Sequence, residues 1–110
     1  IVPEPKASAF CFVQAAVIML TKCIAQEYAS KGVRINAVLC GPTRSPVLEK
    51  ALPSKIQRDE YVKFTPMKRL ALPSEIANVA VFLASDEASY VTGGLYSVDG
   101  GESTSSLYSK

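Results

Sequence analysis

Gly32-Val33-Arg34-Ile35-Asn36-Ala37-Val38-Leu39-Cys40-Gly41-Pro42 holds a helix stop, a strand and a turn in one unbroken run. Lys31 before Gly32 suits the end of a helix: a cation complements the carbonyl end of the dipole, and glycine accepts left-handed backbone. Val33 to Leu39 is short and rich in β-branched residues, and reads as a strand. Cys40-Gly41-Pro42 breaks it at once, because proline has no N–H to give a ladder. A helix that feeds a strand through glycine is half of an α/β repeat, so the flanks should carry its other half.

Upstream, Pro3 and Pro5 mark a loop or strand exit. Lys6 to Ser30 lacks Gly and Pro and is rich in Ala, Leu, Met, Lys, Gln and Glu, which predicts a long helix. Its first half, from Ala9 to Leu20, is apolar nearly all round, as in a helix buried on most sides or set against another subunit. Downstream, Thr43 to Ala71 is irregular and divided by Pro46, Pro53 and Pro66, with helical turns expected around Val47–Ala51 and Lys55–Phe64. So long a stretch reads as a functional excursion rather than a plain connector. Pro73-Ser74-Glu75 opens a second helix, with Ser74 as its candidate cap and Ser85-Asp86 as its end. Val91-Thr92-Gly93-Gly94 predicts a turn, Leu95 to Val98 a strand, and Asp99-Gly100-Gly101 a further turn before a Ser-rich tail.

Two strands separated by a helix make one βαβ unit, right-handed by the usual rule. Parallel sheets are covered on both faces, and the first helix carries more apolar surface than this chain can hide. Further strands are therefore expected, from an absent N-terminal part or from a partner. The chain opens on Ile1-Val2-Pro3 rather than Met, as a fragment would, and shows no signal-peptide pattern.

The 110 residues are 48% hydrophobic and 20% charged, a globular balance limited to one domain. Twelve basic and ten acidic side chains are interspersed, which argues against nucleic acid or a polybasic membrane anchor as partner. The apolar run from Ala9 to Leu20 is expected to be too short to span a bilayer. Histidine is absent, so a Ser-His-Asp triad and a His-based metal site cannot form within this chain. Cys11, Cys23 and Cys40 are widely spaced and make no C-x-x-C, so they read as buried or half-buried free thiols in the cytoplasm or another reducing compartment.

Several stretches in order carry a resemblance. They are Gln14-Ala15-Ala16-Val17, Gly32 to Val38, Gly41-Pro42-Thr43-Arg44-Ser45-Pro46 and Pro66-Met67-Lys68-Arg69-Leu70. Then come Glu75-Ile76-Ala77, Phe82-Leu83-Ala84-Ser85-Asp86, Val91-Thr92-Gly93-Gly94 and Val98-Asp99-Gly100-Gly101. From about Ala9 to Gly101 the chain resembles the C-terminal part, less than half, of a short-chain dehydrogenase/reductase. The resemblance implies a doubly wound Rossmann-type parallel sheet, with residues 1–110 as the C-terminal part of a single domain, and the Ser-rich composition of about 102–110 predicts a mobile tail. It implies NAD or NADP as cofactor and hydride transfer between a nicotinamide and an alcohol or carbonyl. The Gly-rich pyrophosphate turn and the catalytic Ser of the family would lie before Ile1.

The family carries Tyr-x-x-x-Lys at the start of the long helix, with the Lys directly before a pair of small residues. A spacing of four puts both side chains on one face. Here Gln14 precedes Ala15-Ala16 and takes the Lys position, and Phe10 takes the Tyr position. Phe has no hydroxyl to move a proton. Gln can hydrogen-bond a ribose hydroxyl but brings no charge. Tyr28 and Lys31, three apart at the helix end, read as ordinary surface residues.

By the same resemblance, the turn after the strand would hold the cofactor: Gly41, Pro42 and Thr43 against the nicotinamide, Ser45 bonding its carboxamide or a phosphate, and Gln14 on the ribose. The alternative at these positions is a plain tight turn. Cys40 lacks a neighbouring base and reads as inert. Asp99 alone makes no metal site, and Arg69 with Glu75 reads as a solvated or interface pair. The functional expectation is an impaired or inactive NAD(P)-dependent oxidoreductase. The alternatives are a structural or regulatory pseudoenzyme subunit that pairs with an active relative, and a truncated product without function. A homo- or hetero-oligomer through helix 6–30 and the C-terminal segment is expected, since family members commonly pair this way.

Overall fold

A computed structural model describes residues 7–104. It divides into two compact units: residues through Val38 with Phe82–Tyr96, and Leu39–Val81 with Ser97 onward. The predicted loop at Pro3 and Pro5 and the helix start at Lys6 lie outside the described residues.

The first unit is dominated by α1, Ser8–Tyr28, which passes into a 3-10 turn, Ala29–Lys31. Gly32 ends it with φ 73°, in the left-handed region where a side chain would be strained, and donates its N–H to the Ala29 carbonyl at 3.0 Å. Only Thr21 and Ala25 of α1 are buried, whereas Phe12 is 74% and Leu20 56% exposed. The apolar run is thus the open flank of the unit, as the excess of apolar surface predicted. One expectation is corrected. The helix continues past its apolar run, so Ser8–Lys31 is long and apolar enough to cross a membrane by length and composition. Core helices of soluble proteins share those properties.

After Gly32 the strand β1 is Ala37–Cys40 rather than Val33–Leu39. The reason is the neighbour of residues 33–36, which is the turn at Val91–Gly94. Ile35 accepts from the Gly93 N–H at 2.7 Å and gives its own N–H to Thr92 Oγ1 at 3.1 Å, so a side chain substitutes for a ladder partner. At the other end Cys40 stays in the strand, because the Gly41 N–H still reaches the Val98 carbonyl at 3.0 Å. Strand β2, Leu95–Val98, falls where the sequence put it. Ala37 bonds Gly94 and Gly41 bonds Val98, so the pairing advances in the same direction along both strands and the two-stranded sheet is parallel.

The second unit holds the excursion. Helix α2, Pro46–Ala51, has Ser45 as N-cap and Pro at its first position. Helix α3, Lys55–Tyr61, opens on a capping box of Ser54 and Gln57. Helix α4, Pro73–Ala84, begins here and ends in the first unit. Ser74 is not its cap. Pro73 already occupies the first helical position, and the Glu75 carboxylate accepts from the Leu72 N–H at 2.7 Å instead. Val62 and Thr65 form the buried centre of this unit. The predicted tail begins with a 3-10 turn, Glu102–Thr104, and its remaining residues lie outside those described.

Candidate functional site

Phe10 and Gln14 stand one turn apart on α1, on one face of a continuous helix, and both are exposed. Phe10 is 59% exposed. The helix brings these two together. The loop residues Gly41 to Ser45 belong to the other unit.

That loop is built by a second parallel pairing. Thr43 bridges Ala71, with Arg44 N–H donating to the Ala71 carbonyl at 2.9 Å and Ala71 N–H to the Pro42 carbonyl at 2.8 Å. The Thr43 hydroxyl turns back to the Gly41 carbonyl at 2.9 Å. Ser45 Oγ accepts the Leu48 N–H at 3.1 Å, which leaves its own O–H able to donate to an incoming oxygen. Gly41 is needed for a close approach rather than for an unusual φ. A Cβ there would lie 2.5 Å from Asp99 Cα, against backbone that cannot yield. The turn lies at the carboxyl end of a parallel strand, where ligands of open α/β sheets bind.

Asp99 is committed elsewhere. Its two carboxylate oxygens accept from the Gly101 and Ser103 N–H groups at 3.0 Å each. Burial pushes its carboxyl up, but the bonds from Ser103 and Gly101 outweigh this and hold it below the ordinary aspartate range. The left-handed backbone at Gly100 and Gly101, φ 61° and 86°, lets the turn fold over Thr65 and Pro66. Arg69 and Glu75 form a two-pronged pair at 2.8 and 2.7 Å. The Arg69 hydrogen bond, aided by the Leu72 N–H, lowers the Glu75 carboxyl to about 2. The cysteine expectation is corrected in part: none of the three forms a disulfide, but only Cys11 is half-buried, while Cys23 and Cys40 are exposed.

In the sequence, Arg34 and Asn36 stand only within the Gly32–Val38 stretch that carries the resemblance. Arg34 in fact ties the end of α4 to the turn, bonding the carbonyls of Leu83, Ser85 and Val91. Asn36 gives its amide N–H to Val91 at 2.9 Å and accepts the Gly94 N–H at 3.0 Å. The signal in the sequence is polar Arg34 and Asn36 alternating with apolar Val33, Ile35 and Ala37.

A parallel sheet, a glycine-bearing turn at its carboxyl end and a long apolar helix before it define part of a Rossmann-type α/β nucleotide-binding fold. The family model of enoyl-(acyl carrier protein) reductase matches residues 1–103, and the chain belongs to the short-chain dehydrogenase/reductase family. It is 42% identical over 106 residues to oxidoreductase UcpA of Escherichia coli, across 91% of this chain and 40% of UcpA. The ligand-free aldohexose dehydrogenase of Thermoplasma acidophilum superposes with a TM-score of 0.88 at 36% identity, covering 99% of this chain and 46% of that one. A candidate 2-deoxy-D-gluconate 3-dehydrogenase of Agrobacterium tumefaciens, solved with bound NADP, gives 0.72 at 35% identity over 80% of this chain and 36% of that one. The chain thus spans less than half the length of each of these relatives.

Proposed function

We propose that the chain is the C-terminal part of an NAD(P)-dependent oxidoreductase acting between an alcohol and a carbonyl, with an active-site helix that has diverged so that turnover is impaired or lost. The carrying observation is Phe10 and Gln14, one turn apart on α1, at the positions where the family resemblance calls for a phenol and an ammonium. A bound nicotinamide would supply or take the hydride. By the family resemblance, backbone at Gly41, Pro42 and Thr43 and the Ser45 hydroxyl would hold it in the second unit, and Gln14 of the first unit stands where the family holds the ribose. Phe10 offers no O–H to shuttle the proton that hydride transfer releases.

A second reading, a structural or regulatory subunit paired with an active relative, is favoured by the exposed flank of α1. Phe12, Val13, Val17 and Leu20 are each 46% exposed or more, and a second copy or a relative laid along them would remove that surface from water. Three cysteines without a disulfide suit a reducing compartment.

The protein in its longest natural form should bind NADH or NADPH without oxidising it against a panel of alcohols and ketones, followed by nicotinamide absorbance. Robust turnover that survives both Phe10→Ala and Gln14→Ala would overturn the placement of the site. No nucleotide binding at all would leave the pairing subunit as the better account.

A further inference from the structure

We propose that the groove beside α3 and the Lys68–Leu72 segment binds a small organic anion, a phosphate monoester carrying a compact apolar group. This stands apart from the nicotinamide reading and uses none of its residues. The groove, open to solvent, offers about 430 Å³, within the usual range for small-molecule sites. Its apolar surface comes from Val62, Leu70 and Leu72.

The charges decide the ligand class. Four cations, Arg44, Arg58, Lys68 and Arg69, line the groove against two carboxylates, Asp59 and Glu75. Arg69 and Glu75 satisfy each other through two short bonds and add no net charge. Arg58 is held by neutral acceptors, the carbonyls of Leu52 and Pro53 at 3.3 and 3.4 Å, so its position is fixed while its charge is not cancelled. Lys68 is likewise held by a carbonyl, that of Lys63. Arg44 meets Glu49 only at 3.6 Å, with both side chains more than half exposed and screened by water. The surplus of two positive charges matches a phosphate monoester, which carries about two negative charges near neutrality. Lys68 also has φ 53°, a left-handed backbone unusual for a long side chain. Strained residues of this kind concentrate at ligand sites.

Phenyl phosphate is the probe, measured by calorimetry on the protein in its longest natural form, with phenol as the uncharged control. Expected is saturable binding of phenyl phosphate, none of phenol, and weakening as salt rises. Arg58→Gln and Lys68→Gln should each weaken binding by about tenfold, the loss typical of one charge-assisted contact, while Lys22→Gln on α1 should not. Absence of saturable binding would overturn the proposal. So would equal loss in Lys22→Gln, or competitive displacement by NADPH, which would assign the anion to the cofactor site.

Discussion

Arg34 donates to the Leu83 carbonyl oxygen at 2.6 Å, joining residues 49 apart in sequence and placing a guanidinium at the end of α4. The last carbonyls of a helix have no partners within it, and a cation there satisfies both the hydrogen bond and the dipole. Arg34→Ala should lower stability by about 1.5–3 kcal/mol, the range for a hydrogen bond to a charged group. Arg34→Lys should restore part of this, since an ammonium lacks the fork that reaches Ser85 as well. Urea midpoints at unchanged slope would measure both.

Gly41→Ala should destabilise by about 1–3 kcal/mol or more, the cost of overpacking. The added carbon would meet Asp99 Cα at 2.5 Å and its Cβ at 2.8 Å. Removing the side chain with Asp99→Gly should therefore fail to rescue it, because the backbone collision remains. Melting temperatures of the single and double variants decide this.

Acid should weaken the second unit through Glu75. Its carboxyl lies at about 2 in the folded chain against an ordinary 4.5, chiefly because Arg69 hydrogen-bonds the ionised form. A depressed folded value means the contribution is complete above about 4.5 and is lost as pH falls toward about 2. Glu75→Gln should flatten the stability profile in that window. An unchanged profile would show that the pair, which is solvent-exposed, is fully screened.

On the proposed reading, turnover should depend on Phe10 and Gln14 together. Losing a general acid–base group costs about 10²–10⁴-fold. In the longest natural form, Phe10→Tyr with Gln14→Lys should raise nicotinamide turnover more than either change alone, because groups that act as a unit are not additive.

Association should run along α1. Val17→Asp sets a charge in the exposed apolar flank and should shift a dimer or tetramer toward monomer by light scattering. A monomer at micromolar concentration before any substitution would contradict the expected pairing.

Local chemistry was readable from the sequence wherever the chain interacts with itself nearby. Gly32 as a stop, Ser45 and Pro46 at a helix start and Leu95–Val98 as a strand all follow from propensities and caps acting within a few residues. The family resemblance came from the order of such pieces, and the excess apolar surface of α1 from composition alone. Tertiary structure decided what depends on partners distant in sequence. Residues 33–36 lost their strand because a turn, not a strand, lies beside them. Ser74 lost its cap to Glu75 because Pro73 fixed the first helical position. Arg34 and Asn36 proved to be ties, and Gly41 a close contact with Asp99, since each partner is about 50 or more residues away and no periodicity announces it. The loop at Gly41–Ser45 could be located by sequence, but the donor left free on Ser45 emerged only from the bond its oxygen accepts from Leu48.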